Sequence, residues 1–181
     1  MVTTTPSSES KTSYRLRVVD EHVGFENEHD LDGIMRTFGD SARYDDEPWN
    51  AHYVGRAEVR GFYTQLLRAL PDLHIGVQRR HAGEDAVVLE VVIRGRHLGS
   101  WRGLPATGRR VEFPLCGVYT FDADNRLAGE RIYYDRATVL EQLRVFHEPA
   151  SLPGRIALVL THPVTMAAIA VRKVWPVRAS L

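Results

Sequence analysis

The sequence predicts an α+β domain in which a curved antiparallel sheet closes over three helices and leaves a pocket between the two layers. Three observations predict it. Apolar residues recur at helical spacing as far as Leu70, and from Leu73 the period changes to two. The β-rich runs are separated by short turns of Gly, Asp, Asn and Pro. No helical stretch interrupts them, and helices followed by a meander of strands is not the order of alternating βα units.

Each element has its own signal. Residues 1–13, rich in Thr and Ser with little to bury, read as a disordered lead-in. Leu16, Val19, His22, Val23 and Phe25 mark a first helix from Tyr14, stopped by the polar run Asn27-Glu28-His29-Asp30. Asp30 is placed to cap a second helix over 31–38, with Leu31, Ile34, Met35 and Phe38 on one stripe. A short extended piece at 42–44 leads to a polar loop, Asp45-Asp46-Glu47-Pro48-Trp49-Asn50. Gly55 opens a third helix carrying Val59, Phe62, Tyr63, Leu66, Leu67 and Leu70, closed by Pro71-Asp72. Strands are expected over 73–80, 86–95, 110–121 and 127–135, and a final helix over 137–145. A sheet curved over three helices leaves a pocket for a ligand.

Composition narrows the function. The 181 residues suit a single domain of 14–147 plus a distinct C-terminal extension, 148–181. Lys plus Arg and Asp plus Glu are 23 each, so no basic field invites nucleic acid. The lone Cys116 cannot make an internal disulfide, and the N-terminus lacks the apolar core of a signal peptide; a cytoplasmic location is expected. The eight histidines show no HxH, HExxH or HxxxH spacing and have no cysteine partner, so no metal site is expected. There is no phosphate-binding glycine loop and no nucleophile-elbow serine, leaving cofactor-free proton transfer as the expected chemistry.

Four segments, in order, carry a family resemblance: Asn27 to Ile34; Tyr53-Val54-Gly55-Arg56-Ala57-Glu58-Val59 with Pro71-Asp72-Leu73; Arg94 to Arg110, with its Gly-Leu-Pro-Ala-Thr-Gly-Arg hairpin; and Glu130-Arg131-Ile132-Tyr133-Tyr134-Asp135. Together they resemble the SnoaL-like polyketide cyclases of the nuclear transport factor 2-like superfamily, over about 14–143. The resemblance implies a cone-shaped α+β barrel, its curved mixed or antiparallel sheet packed on three helices around a pocket. It also implies a small apolar ligand and a homodimer. That superfamily hosts cyclases, isomerases, epoxide hydrolases and binding modules, so each residue is weighed separately.

Asp46 falls where ketosteroid isomerases place the general base; the alternative is a solvated acidic loop. His22 takes the place of the isomerase hydrogen-bonding tyrosine and is a candidate donor or partner of Asp46, against a purely structural helix histidine. Glu130 shares one face with Ile132 and Tyr134 by strand parity. Ile132 stands where the aldol cyclases and limonene-epoxide-hydrolase relatives carry their acid, and Gly117 where cyclases have histidine and isomerases a protonated aspartate. Val91 and Ile93 replace the epoxide-hydrolase Arg and Asp, which removes that mechanism. Glu130 is then the substitute acid and Tyr119 the substitute donor. His97, Trp49, Trp101 and Tyr134 are expected to orient or wall the ligand, and Asp135 to cap a helix.

Ser151-Leu152-Pro153 and Thr161-His162-Pro163 read as two helix starts in an extension with Arg155, Arg172, Lys173 and Arg178 but no acid. It is too short and interrupted to span a bilayer. Packing on its own domain or a second copy is expected, with contact to a membrane surface as the other option. The functional expectation is a cofactor-independent acid/base cyclase, isomerase or hydratase acting on a polyketide-, terpenoid- or steroid-like molecule; the alternative is a non-catalytic binding or dimerisation module.

Overall fold

The computed structural model describes residues 10–174, with side chains through Ala168. Most of the expected lead-in (1–9), and the last residues of the extension (175–181), lie outside them. The first helix, α1 (Lys11–Glu28), begins earlier than the apolar pattern indicates, because the Ser10 hydroxyl accepts from the Ser13 amide and caps it. Residues 10–13 are therefore helix start and not lead-in. His29 closes α1 in the left-handed conformation, its amide bonded to Glu26 O and that of Asp30 to Phe25 O. Asp30 then caps α2 (Leu31–Thr37) through the Gly33 amide.

The largest departure from expectation comes next. In place of a short extended piece and a polar loop, β1 (Phe38–Asp46) is a nine-residue strand, followed by one 3-10 turn at Glu47–Trp49 and a second strand, β2 (Ala51–Val54). After α3 (Arg56–Ala69) come β3 (His74–Ala82), β4 (Ala86–Arg96), β5 (Arg110–Phe121) and β6 (Leu127–Tyr134). The sheet order is β2-β1-β6-β5-β4-β3. The expected meander from β3 to β6 is present, but β1 pairs parallel with β6, which makes the sheet mixed. Register shifts in β1, β3 and the β5–β6 pair mark irregularities of the kind that bend a sheet.

The core lies between the concave face of the sheet and α1 to α3 and is aromatic on the α3 side, where Tyr44 stacks on Phe62 at 4.0 Å between centroids. Asp135 caps α4 (Arg136–Gln142) through the Ala137 amide as expected; Arg144, at φ 58°, stops the chain short of the expected helix end. The extension forms α5 (Leu152–Thr161), capped by Ser151, and α6 (Pro163–Val174). Among the described residues no helix is long and apolar enough to cross a membrane.

Candidate active site

Strand parity builds the site. On the concave face, Tyr44 of β1 lies beside Glu130 of β6, which lies beside Tyr119 of β5. One pleat further on, Asp46 lies beside Ile132, which lies beside Gly117. The two rows differ in chemistry: the Glu130 row is polar across three strands, while the Asp46 row is apolar except for Asp46 itself. Both open on one chamber with largely aliphatic and aromatic walls, including Val91, Ile93, Phe113 and Leu143. Its cavity volume is about 60 Å³, several times the ~10–15 Å³ that one water needs.

The two family positions left blank in the sequence, Ile132 and Gly117, are thus neighbours in a single row. The missing side chain at Gly117 has a use: a Cβ there would stand 3.1 Å from the Tyr119 hydroxyl and ring. Tyr119 folds its phenol into that vacancy, so its hydroxyl occupies the region into which a residue at 117 would project. It is 3% exposed.

Helices complete the polar row. His22, on α1, is fully buried. The Thr37 hydroxyl donates to Ile34 O at 2.7 Å, so it accepts from His22 Nδ1, also at 2.7 Å. That fixes a hydrogen on Nδ1 and turns Nε2 toward the Tyr63 oxygen at 3.1 Å, Glu130 Oε2 at 3.3 Å and Glu26 Oε2 at 3.8 Å. Tyr63, from α3, donates its hydroxyl to Glu130 Oε2 at 2.5 Å. Burial works against a charge on His22, but the carboxylates of Glu26 and Glu130 outweigh it and its pKa is raised. Burial pushes Glu26 up to about 8, with the nearby Glu130 charge adding to the rise and His22 opposing it. At neutral pH Glu26 therefore keeps its proton, and the surroundings favour the charged form of His22. Burial, reinforced by Glu130, also raises Tyr63 and Tyr119 well above the ordinary phenol range and keeps both hydroxyls protonated.

Glu26 was not singled out by the sequence reading. It lines the chamber, is 4% exposed, and its Oε2 has no hydrogen-bond partner. The signal was present: His22 and Glu26 stand one helical turn apart on the face that carries Val19 and Val23. His22, Glu26 and Glu130 are also the described residues able to hold a metal ion, with one ligand atom of each within 4.8 Å of the others. The expected pairing of His22 with Asp46 is not what forms; Glu26 and Glu130 are the carboxylates that meet His22 Nε2.

Asp46 is 1% exposed and lines the chamber, so the reading of 45–47 as a solvated acidic loop is overturned. Its Oδ2 accepts from Arg102 Nη2 at 2.5 Å, and its Oδ1 is buried without a partner. Burial raises the Asp46 pKa, and the Arg102 charge limits the rise. Arg102 is a second residue that the sequence reading passed over. It sits with Gly103 at the centre of a two-residue turn closed by paired bonds between Trp101 and Leu104, with φ 49° and 79° at the two positions. Such turns favour Asn, Asp or Gly at the first centre, so arginine there marks a side chain whose placement outweighs local strain. Its guanidinium stacks over Trp49 at 5.0 Å and Trp101 at 5.5 Å while reaching Asp46.

The remaining expected residues divide. Trp101 and Tyr134 line the chamber, but Trp49 does not; its indole N–H donates to the Tyr134 hydroxyl at 2.8 Å and its ring supports Arg102. The expected pair of ligand-facing indoles is therefore one wall and one buttress. His97 lines the chamber. Its Nδ1 accepts from the Thr107 amide, so the hydrogen sits on Nε2, which is buried without a partner; burial lowers its pKa and keeps it neutral.

The fold recurs in solved structures. AclR, a candidate hydroxylase from Streptomyces galilaeus, is 25% identical with a TM-score of 0.66, covering 75% of this chain and 99% of its own. A candidate SnoaL-like polyketide cyclase from Jannaschia sp. CCS1 is 20% identical with a TM-score of 0.69, covering 77% and 97%. IdmH, a candidate polyketide cyclase from Streptomyces antibioticus, is 22% identical with a TM-score of 0.61, covering 72% and 99%. No curated protein sequence matches the chain. The match that decides its kinship is to the family described as SnoaL-like polyketide cyclase, which spans residues 16–143, from the first helix through the polar rows to the end of α4, and by it this chain belongs to that family.

Proposed function

We propose that the chamber is the active site of a cofactor-independent acid/base enzyme of cyclase, isomerase or hydratase type, acting on a small apolar, polyketide-like molecule. The observation that carries this reading is the pair of unlike carboxyl groups in one apolar chamber: Glu26, held neutral, and Asp46, held against Arg102 with one oxygen free. Environments that push the protonation of two acids apart are how one site supplies both proton donor and proton acceptor.

In this reading Asp46 Oδ1 removes a proton from a carbon next to a carbonyl. The oxyanion that develops is stabilised by the Tyr119 hydroxyl, with His97 Nε2–H as a further donor to the ligand. Glu26 gives a proton to the ligand as Asp46 takes one, and after product release Asp46 passes a proton to water and Glu26 regains one from it, so that both groups return to their starting states. Tyr134 and Trp101 orient the ligand. Family membership supports a cyclase-type activity, while the blank positions Ile132 and Gly117 leave Asp46 as the acid of its own row and Tyr119, from the neighbouring row, as the hydroxyl donor, in place of the family's usual acid.

Those two blanks also favour a second reading, a non-catalytic module that binds the same class of ligand. The ligand extracted from the purified protein, identified by mass and returned in deuterated water, separates the two. An enzyme transforms it or exchanges its acidic C–H, and Asp46→Asn slows that step about 100-fold or more while the Kd moves less than about threefold. Binding with neither turnover nor exchange in the unaltered protein assigns the module.

A further inference from the structure

The C-terminal extension has an apolar surface that its own domain leaves uncovered. Leu152, Ile156, Val159 and Leu160 of α5 recur at helical spacing and are 73%, 54%, 56% and 74% exposed. Val164, at the start of α6, is 81% exposed. Large aliphatic side chains this open, side by side, mark a surface with a partner. At its start α5 turns tightly on the chain just before it: Gly154 lies so close to the Glu148 carbonyl that a Cβ would meet it, and Ser151 donates to the same oxygen.

Charge selects the partner. Residues 151–181 contain Arg155, Arg172, Lys173 and Arg178 and no acid, and residues 156–171 carry no Asp, Glu, Lys or Arg. A second copy of this segment meeting the first across a twofold axis would set like charge against like. An uncharged apolar run with basic residues at its two ends instead matches a bilayer whose headgroups are anionic, and Trp175 follows the basic pair in the sequence. The break at His162-Pro163 gives two helices of 10 and 12 residues, each too short to span, which suits a pair lying in the headgroup plane.

We propose that α5 and α6 dock this protein on the surface of an anionic lipid bilayer, inserting the Leu152, Ile156 and Leu160 stripe between headgroups. The surface stands apart from the chamber and does not depend on the chemistry assigned there. Vesicle flotation of the full chain tests it, with phosphatidylcholine alone and with equimolar phosphatidylglycerol and phosphatidylcholine. The expected result is at least about tenfold stronger binding to the anionic vesicles, weakened by salt. Replacing Ile156→Glu together with Leu160→Glu abolishes flotation while thermal unfolding of the domain is unchanged. Replacing Arg172→Glu together with Lys173→Glu removes the preference for anionic lipid. No flotation of the unaltered chain, equal binding to both vesicles, or indifference to the glutamate pair overturns the proposal. So does a dimer in lipid-free solution that the glutamate pair dissociates, which assigns the stripe to a second copy.

Discussion

The chamber has two acidic stations that solve the burial of a carboxyl group in opposite ways. At the Asp46 station a cation is supplied: Arg102, carried on a strained turn and braced by two indoles, meets one oxygen and leaves the other free. At the Glu130 station no arginine or lysine contributes. Two carboxyl groups share one histidine and one tyrosine, and the excess negative charge is removed by keeping a proton on Glu26. An arginine fixes charge at any working pH, whereas a histidine-carboxyl cluster stores a proton that can be handed on. In the proposed mechanism this difference divides acceptor from donor between the two stations.

The largest expected effect falls on the shared pair. Glu130→Gln removes the carboxyl group that faces His22 Nε2 and accepts from the Tyr63 hydroxyl. We expect a loss of roughly 3 kcal/mol in chemical denaturation, on the scale for breaking a buried ion pair, and a fall in kcat of about 100-fold or more, on the scale for losing an acid/base group. A variant that keeps both activity and stability would dissolve the division between stations.

Arg102→Ala tests the other station. Without the guanidinium, burial alone acts on Asp46, so its pKa climbs further. The acid limb of the kcat/KM profile then moves to higher pH and the rate at neutral pH falls about tenfold or more. A profile that does not move would show that Asp46 is not the base.

The pH dependence of stability sharpens the contrast. Glu26 has its pKa raised by burial from 4.5 to about 8, so the folded protein binds a proton that the unfolded chain releases. This contribution is fully present below the unfolded value and is lost as pH rises toward the folded one. His22, also raised, acts in the same direction. Glu26→Gln removes the Glu26 part: relative to the unaltered protein it gains a few kcal/mol in denaturation free energy between about pH 5 and about pH 9. An unchanged difference across that range would place the stored proton elsewhere. In kinetics, loss of the neutral acid lowers the rate above about pH 8, the value to which burial pushes Glu26.

Much of this was legible in the chain, for reasons that individual residues show. The β3–β6 meander was readable because its runs are rich in Val, Ile, Tyr and Phe and are separated by Gly, Asp and Asn turns, and strand parity placed Glu130, Ile132 and Tyr134 on one face. β1 was not readable, because its outward positions carry Asp40, Arg43 and Asp45 and its register to a strand more than eighty residues later is a tertiary fact. Arg102 was hidden for the same reason: nothing local says that the turn at 101–104 folds back to residue 46. Glu26 was visible as one turn beyond His22, but only a third residue arriving from β6 gives the pair a chemistry.

The smallest expected effect belongs to the residue beside the proposed base. Asp45 and Asp46 are consecutive on β1, both nearly fully buried, yet they face opposite sides of the sheet. Asp45 accepts from Arg43 at 2.8 Å and meets His52 at 2.7 Å, with Arg131 at 3.6 Å. Burial alone would raise its pKa, but these partners outweigh it and the value is lowered. Those partners are themselves about half exposed, so the pairs are screened and each is worth no more than about 1 kcal/mol. Asp45→Asn should therefore cost about that much in denaturation and leave kcat, KM and the pH profile unchanged, while Asp46→Asn slows turnover about 100-fold or more. Equal loss of activity from both would mean that the local acidity of the turn, and not the direction each side chain takes from its pleat, is what the site uses.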